Sequence, residues 1–293
     1  MRRHRRIRWI PALIVLTLAT TALAGWSDDP AQNLAIADRT SDQVQSKIAA
    51  TSDGGCYVSW FDNSSGGYDV YLQRLDANGN ELWAHNGVLV ADRSFSSTQD
   101  YGLDIDTGGN ALLVFRDDRS GSTQITASKV APDGSLAWGV SGVQLSSGSS
   151  FFASPVIAGT SDGGSVVGWI RDSDTKLQKL DSSGAPLWGA GITLSDDSGG
   201  SFSINDIKAS DGVNVIVSWV RQGSSFFDPR HIWAQKFSGT GTMLWTPSHV
   251  RVFDGGSIQM GNFPDFITDG LGGAVFSWYS VSPLQSFAQR ILA

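Results

Sequence analysis

One repeat limits what this chain can fold into: a basic residue, four residues, Gly, three residues, Trp. It occurs as Arg74-Gly79-Trp83, Lys129-Gly134-Trp138, Lys179-Gly184-Trp188 and Lys236-Gly241-Trp245. A second anchor comes before each copy and appears a fifth time: a glycine turn, an apolar run, then an aromatic. It runs from Gly54-Gly55 to Trp60, Gly108-Gly109 to Phe115, Gly163-Gly164 to Trp169, Gly212 to Trp219, and Gly272-Gly273 to Trp278. The four tryptophans are 55, 50 and 57 residues apart. A recurring period of this size marks stacked supersecondary units, as in propellers and solenoids.

Each unit reads as four short strands. Strand a lies before the glycines, as in Ser154–Ala158, and strand b follows them, as in Cys56–Trp60 or Asn214–Trp219. Strand b is β-branched and apolar on both faces, the pattern of a strand covered on both sides. Strand c carries the cation, as in Tyr68–Leu75. A tight turn such as Asp76-Ala77-Asn78-Gly79 then leads into strand d with its Trp. Composition agrees: the chain has 34 Gly and a single glutamate, Glu81, among 28 acidic residues, so good helix formers are scarce.

The ends suggest the count. Gly25-Trp26 aligns with the strand d tryptophans, whereas Ser286–Ile291 is a strand c with nothing after it. Joined, they complete one blade. The expected fold is an all-β, five-bladed β-propeller of four-stranded antiparallel blades, a single domain over residues 25–293, its last blade closed by the N-terminal strand. A fragment of a longer array is the alternative.

Residues 1–24 read as a cleaved signal peptide. Arg2, Arg3, Arg5, Arg6 and Arg8 precede an apolar stretch, Trp9–Leu18, too short to span a bilayer, and Ala22-Leu23-Ala24 is a small-x-small cleavage signature. Removing those five arginines takes the formal charge from −7 to −12. So acidic a surface repels nucleic acid and anionic lipid. The expectation is therefore a secreted or cell-envelope monomer with no nucleic-acid partner, no membrane span after leader removal and no cofactor. Cys56 stands alone, so no internal disulfide can form, and a small core position explains it.

The units Tyr71-Leu72-Gln73-Arg74-Leu75-Asp76, Gly79, Leu82-Trp83 and Leu177-Gln178-Lys179-Leu180-Asp181, Gly184, Leu187-Trp188 resemble those of secreted bacterial β-propeller repeat proteins. The likeness covers essentially the whole chain after the leader and implies the fold without an activity. More loosely, the Leu-Trp blade ends are similar to the tryptophan-docking blades of quinoprotein dehydrogenases. That family's cofactor site uses an adjacent cysteine pair, which this chain cannot supply.

Position in the repeat makes the tryptophans structural, wedged between blades. The repeated cation (Arg74, Lys129, Lys179, Lys236, Arg290) is expected to pair with a nearby aspartate such as Asp62, Asp117 or Asp172. Length varies mostly in the b–c loops, and function concentrates on loops held by a rigid scaffold. The main expectation is accordingly a non-catalytic module that binds a glycan or an extracellular protein through this loop face, with Phe151, Phe152, Phe226, Phe227 and Tyr68 as ligand-binding candidates. The competing view is that each Phe plugs the end of a blade. The alternative function resembles five-bladed glycoside hydrolases that set carboxylates around a central channel. Asp100, Asp104, Asp206 and Asp265 are its candidates, although they share no equivalent position. A spacer of the cell envelope is a third possibility. His85, His231 and His249 lack zinc spacing, and no loop matches a calcium motif, so no metal is expected.

Overall fold

The structure, a computed structural model, describes residues 25–246 and 248–293. The expected leader lies outside the described residues. Among them there is no helix, and the chain forms five antiparallel sheets, each a meander in chain order. The first holds β1 (Gln43–Ala50), β2 (Cys56–Asp62), β3 (Asp69–Leu75) and β4 (Val88–Ala91). The second holds β5 (Gly102–Ile105), β6 (Ala111–Asp117), β7 (Gln124–Val130) and β8 (Val143–Gln144). The third holds β9 (Phe152–Gly159), β10 (Ser165–Arg171), β11 (Asp174–Leu180) and β12 (Ile192–Leu194). The fourth holds β13 (Ser201–Ala209), β14 (Val215–Gln222), β15 (Arg230–Phe237) and β16 (Val250–Phe253). The fifth has three strands, β17 (Phe266–Thr268), β18 (Ala274–Val281) and β19 (Leu284–Ile291).

The first strands of successive sheets pack on one another, β1 on β5, β5 on β9, β9 on β13 and β13 on β17, and form the inner layer. Each seam between sheets has its own apolar core. The second strands feed two seams at once because neighbouring side chains leave a strand on opposite faces. On β6, Ala111, Leu113 and Phe115 enter the core shared with the first sheet, whereas Leu112 and Val114 enter the core shared with the third. On β14, Val217 and Trp219 face the third sheet and Ile216 and Val220 the fifth. This is why strand b reads as apolar throughout. Each such burial contributes about 1.5–3 kcal/mol.

The repeated residues are explained by contacts between neighbouring sheets. Trp83 Nε1 donates to Pro132 O at 3.1 Å, Trp138 Nε1 to Ser182 O at 3.2 Å and Trp188 Nε1 to Gly239 O at 3.1 Å. Every acceptor lies in the c–d turn of the following sheet. Trp26 repeats the contact on the first sheet, donating to Ala77 O at 3.2 Å. The repeat glycine is the seat for the ring: Gly184 has φ +90°, and a Cβ there would meet the Trp138 indole at 3.2 Å. The tryptophans are not in strand d, however. β4 begins at Val88, after Trp83 has left the sheet to dock on its neighbour.

The cations differ from expectation in their partners. Arg74 pairs with Asp53 at 2.7 Å, Lys129 with Asp106 at 2.5 Å, Lys179 with Asp162 at 2.6 Å, Lys236 with Asp211 at 2.5 Å and Arg290 with Asp269 at 2.6 Å. Register is the reason. Each cation sits opposite the second residue of strand b, beside the a–b turn that carries these aspartates. Asp62, Asp117 and Asp172 stand at or just beyond the other end of strand b, and engage Arg39, Arg119 and the Phe151 N–H instead.

The fourth strand expected from the N-terminal segment is not paired here. Residues 27–42 contain no strand, and β19 has no hydrogen-bonded neighbour on its outer edge among the described residues. Ile48 of β1 is 69 % exposed and Ile267 of β17 is 66 % exposed, so no described residue covers these faces of the first and fifth sheets.

Candidate functional site

Of the four aspartates proposed for the inner layer, Asp104 and Asp206 are linked only through the reach of their charges. Asp104, on β5, accepts a hydrogen bond at 2.8 Å from the Gly159 N–H at the end of β9. Beyond β9, β13 brings Asp206 and Lys208 close enough for their charges to act on Asp104. Asp206 and Lys208 are paired at 2.6 Å; two residues apart on one strand, they project from the same face. Burial pushes the Asp104 carboxyl above the usual carboxylate range and the Asp206 charge adds to this, while the Gly159 and Ile105 N–H groups and Lys208 pull the other way. The result is a half-buried carboxyl shifted upward, within charge range of a lysine-paired aspartate on β13. Pairs of carboxyls in unlike environments are the usual basis for dividing acid and base roles.

Asp100 and Asp265 lie elsewhere. Asp100, just before β5, pairs with Lys47 of β1 at 2.9 Å, with both side chains well exposed. Asp265 borders a cavity of about 350 Å3 on the fifth sheet with Phe263, Trp278 and Phe287. Glu81 is held by His85 at 3.0 Å and by Gln73 in an outer turn, remote in sequence and sheet position from the inner strands. Burial raises the Cys56 thiol, and the side chain is packed in the core. Among the described residues no set of three His, Cys, Asp or Glu is arranged to hold a metal ion. Sequence reasoning passed over Lys208, although its spacing of two from Asp206 within a strand was a readable signal.

The loop-face candidates divide between roles. Phe152 is 2 % exposed and packs between the second and third sheets, with Phe202 equally buried in the next seam, so these two plug blade ends. Phe151, Phe226 and Phe227 are exposed at 57 %, 60 % and 90 %. Phe226 and Phe227 meet edge-on, and the Arg230 guanidinium lies over Phe226. The Tyr68 hydroxyl donates to Asp42 at 3.0 Å. The five candidates are spread over the first, third and fourth sheets.

No family model matches the chain, and no curated protein sequence matches it. Solved structures do. A protein of unknown function from Dyadobacter fermentans aligns over 85 % of this chain and 76 % of its own, at 11 % identity and a TM-score of 0.54. A polysaccharide lyase of family PL25, an ulvan lyase bound to -[GlcA(1-4)Rha3S]-, aligns over 83 % of this chain and 67 % of its own, at 14 % identity and a TM-score of 0.51. An endo-arabinase from Bacteroides thetaiotaomicron covers 85 % of this chain at 12 % identity and a TM-score of 0.44. The first two likenesses support a propeller-like all-β fold. The expectation of a non-catalytic binding module, which treated the fold as a passive scaffold, is overturned by the ulvan lyase: a similar fold there belongs to a polysaccharide lyase.

Proposed function

We propose that this chain is a glycan-cleaving enzyme built on a closed five-bladed propeller, with Asp104 and Asp206 as its acid and base. The observation that carries the reading is the Asp104 carboxyl of β5, bonded by the Gly159 N–H at the end of β9 and within range of the Asp206 and Lys208 charges on β13. Asp104, inclined to keep its proton, donates to the leaving glycosidic oxygen. Asp206, ion-paired with Lys208, takes the proton of the attacking water. Release of reducing ends from a panel of neutral and acidic polysaccharides tests this. Asp104→Asn and Asp206→Asn should each lower cleavage at least about a hundredfold. Undiminished cleavage in both variants, or no cleavage by the unaltered protein, removes the reading.

Ring closure belongs to the same proposal. Trp26 already docks on the first sheet as Trp83 docks on the second. After it, Leu34-Ala35-Ile36-Ala37-Asp38-Arg39 repeats Val88-Leu89-Val90-Ala91-Asp92-Arg93, the segment of β4, with three more residues between it and its Trp. Residues 34–37 would supply the fourth strand on the free edge of β19, and closure would complete the channel wall. Export by a cleaved leader, residues 1–24, brings such an enzyme to extracellular polysaccharide.

A further inference from the structure

The described residues include sixteen lysines and arginines, and eleven are ion-paired with a carboxylate. Three of the remaining five, Arg116, Arg171 and Lys176, gather around one loop, residues 145–152, at the seam between the second and third sheets. On one side of this loop a cavity of about 450 Å3 is lined by Arg116, Ser122, Thr123 and residues 148–152. On the other, a cavity of about 210 Å3 is lined by Ser146, Ser147, Trp169, Arg171, Lys176 and Gln178. Phe152 lines both.

The first cavity wall contains a buried donor without an acceptor, Arg116 Nε; Trp169 Nε1 in the second is also unpaired, as are the equivalent Trp60, Trp219 and Trp278. Such groups cost free energy unless a ligand or water satisfies them. The Arg116 guanidinium lies 5.6 Å from the Phe151 ring centre and 5.7 Å from that of Phe95, and burial without a counter-charge holds it below its ordinary value. Arg171 meets Ser150 Oγ at 3.4 Å, and Lys176 donates to Thr193 Oγ1 at 2.6 Å. Two acids are nearby, both outside ion-pair distance. Asp172 accepts the Phe151 N–H, and Asp174 acts on Lys176 only at longer range. Both cavities break the repeat. Arg116 replaces the Phe61, Ile170, Val220 and Tyr279 of the other sheets, and Lys176 stands opposite Trp169 where they have Tyr71, Thr126, Trp233 and Phe287.

We propose that this seam binds an acidic polysaccharide, with sugar carboxylates or sulfates at Arg116 and at the Arg171–Lys176 pair and a sugar ring against the exposed face of Phe151. Charge-assisted hydrogen bonds supply the selectivity and the aromatic face supplies contact area. A formal charge of −7 over the whole chain disfavours the long continuous phosphate tracks of a nucleic acid, whereas two short basic cavities separated by a serine-rich loop suit spaced charges on a glycan. The inference rests on the reading of a glycan-cleaving enzyme and names a substrate class for it; the seam stands at the b–c end of the sheets, whereas Asp104 faces Leu112 near the a–b end of β6, so binding there is measured apart from cleavage.

Affinity electrophoresis of the full chain through polygalacturonate, chondroitin sulfate, dextran and single-stranded DNA tests it, with the first two separating carboxylate from sulfate recognition. Retardation by one or both acidic glycans, weakened by salt and reduced about tenfold or more in Arg116→Gln/Arg171→Gln/Lys176→Gln, is expected. If the triple variant does not fold, Arg171→Gln at an exposed position and Lys176→Gln at a half-buried one should each weaken retardation. Asp104→Asn should bind as the unaltered protein does, and so should Arg251→Gln, a cation on another sheet. Equal retardation by dextran, stronger retardation by DNA, no retardation by either acidic glycan, or unchanged retardation in the basic-seam variants overturns the proposal. Loss of cleavage with intact acidic-glycan binding in Asp104→Asn separates its fate from that of the catalytic reading.

Discussion

Lys129 and Asp106 meet at 2.5 Å with side chains 8 % and 2 % exposed, and the same ammonium reaches Ser182 O in the next sheet at 3.2 Å. The pair therefore ties the second sheet's own a–b turn to the third sheet. Asp106 also accepts from the Gly108 and Asn110 N–H groups. Burial alone would raise its carboxyl, but Lys129 and Asn110 outweigh that and hold it below the usual range.

Asp106→Asn should destabilise the protein by about 3–5 kcal/mol, because it strands a buried ammonium. Thermal unfolding measures this. The sign with pH follows from a lowered carboxyl: the stabilisation is complete above the ordinary aspartate value and lost as pH falls through the folded one. The variant's deficit should accordingly shrink in acid. A deficit that is constant between neutral pH and acid would contradict this role.

Asp104 carries the opposite sign. Its folded carboxyl is raised, chiefly by burial, so its contribution to stability is present below the ordinary aspartate value and lost as pH rises through the folded one. At neutral pH Asp104→Asn should be at least as stable as the parent while losing cleavage, with calorimetry and kinetics reporting the two effects. The alkaline limb of the parent's kcat/KM profile should lie above the ordinary aspartate range. A strongly destabilised Asp104→Asn would mark the residue as structural.

Gly184→Ala should cost about 1–2 kcal/mol, since φ +90° is a left-handed conformation that a Cβ resists. The added methyl also meets the Trp138 ring, so the Trp138 fluorescence should shift in the folded variant. Gly189→Ala, also left-handed but with no atom near the added carbon, is the comparison that separates backbone strain from the lost seat.

Closure of the ring makes a prediction at one residue pair. In the four complete sheets the residue two before the cation faces the first residue of the outer strand: Leu72 and Val88, Ala127 and Val143, Leu177 and Ile192, Ala234 and Val250. For the fifth sheet that rule pairs Ala288 with Leu34. A Leu34→Cys/Ala288→Cys protein, with Cys56→Ser, should form an internal disulfide under mild oxidation, detected by its mobility and mass. Failure to link, with accessible thiols at both positions, would mean an open ring.

The sheets were legible because their signals are local. Strand b declares itself by apolar residues on both faces, and the turns by glycines at fixed offsets. The cation partners were not, since Asp53 and Asp62 are both near strand b and only register distinguishes them. The place of Trp83 outside strand d depends on a carbonyl in another sheet, which no local pattern reports. Likewise Asp104 and Asp206 sit at unequal repeat positions on strands of different sheets, with β9 between them, and act on each other only through charge. Arg116 and Lys176 could have been found by asking where the repeat breaks, because there neighbouring copies place apolar or neutral residues.

The tryptophan contacts also have a direction in time. Trp83, Trp138 and Trp188 each donate to a turn that the ribosome makes about fifty residues later. A nascent unit therefore stays unlatched, with its indole free, until its successor has emerged. The growing end is always the least secured part of the chain, and translation pauses within one unit would leave one loose ring rather than several.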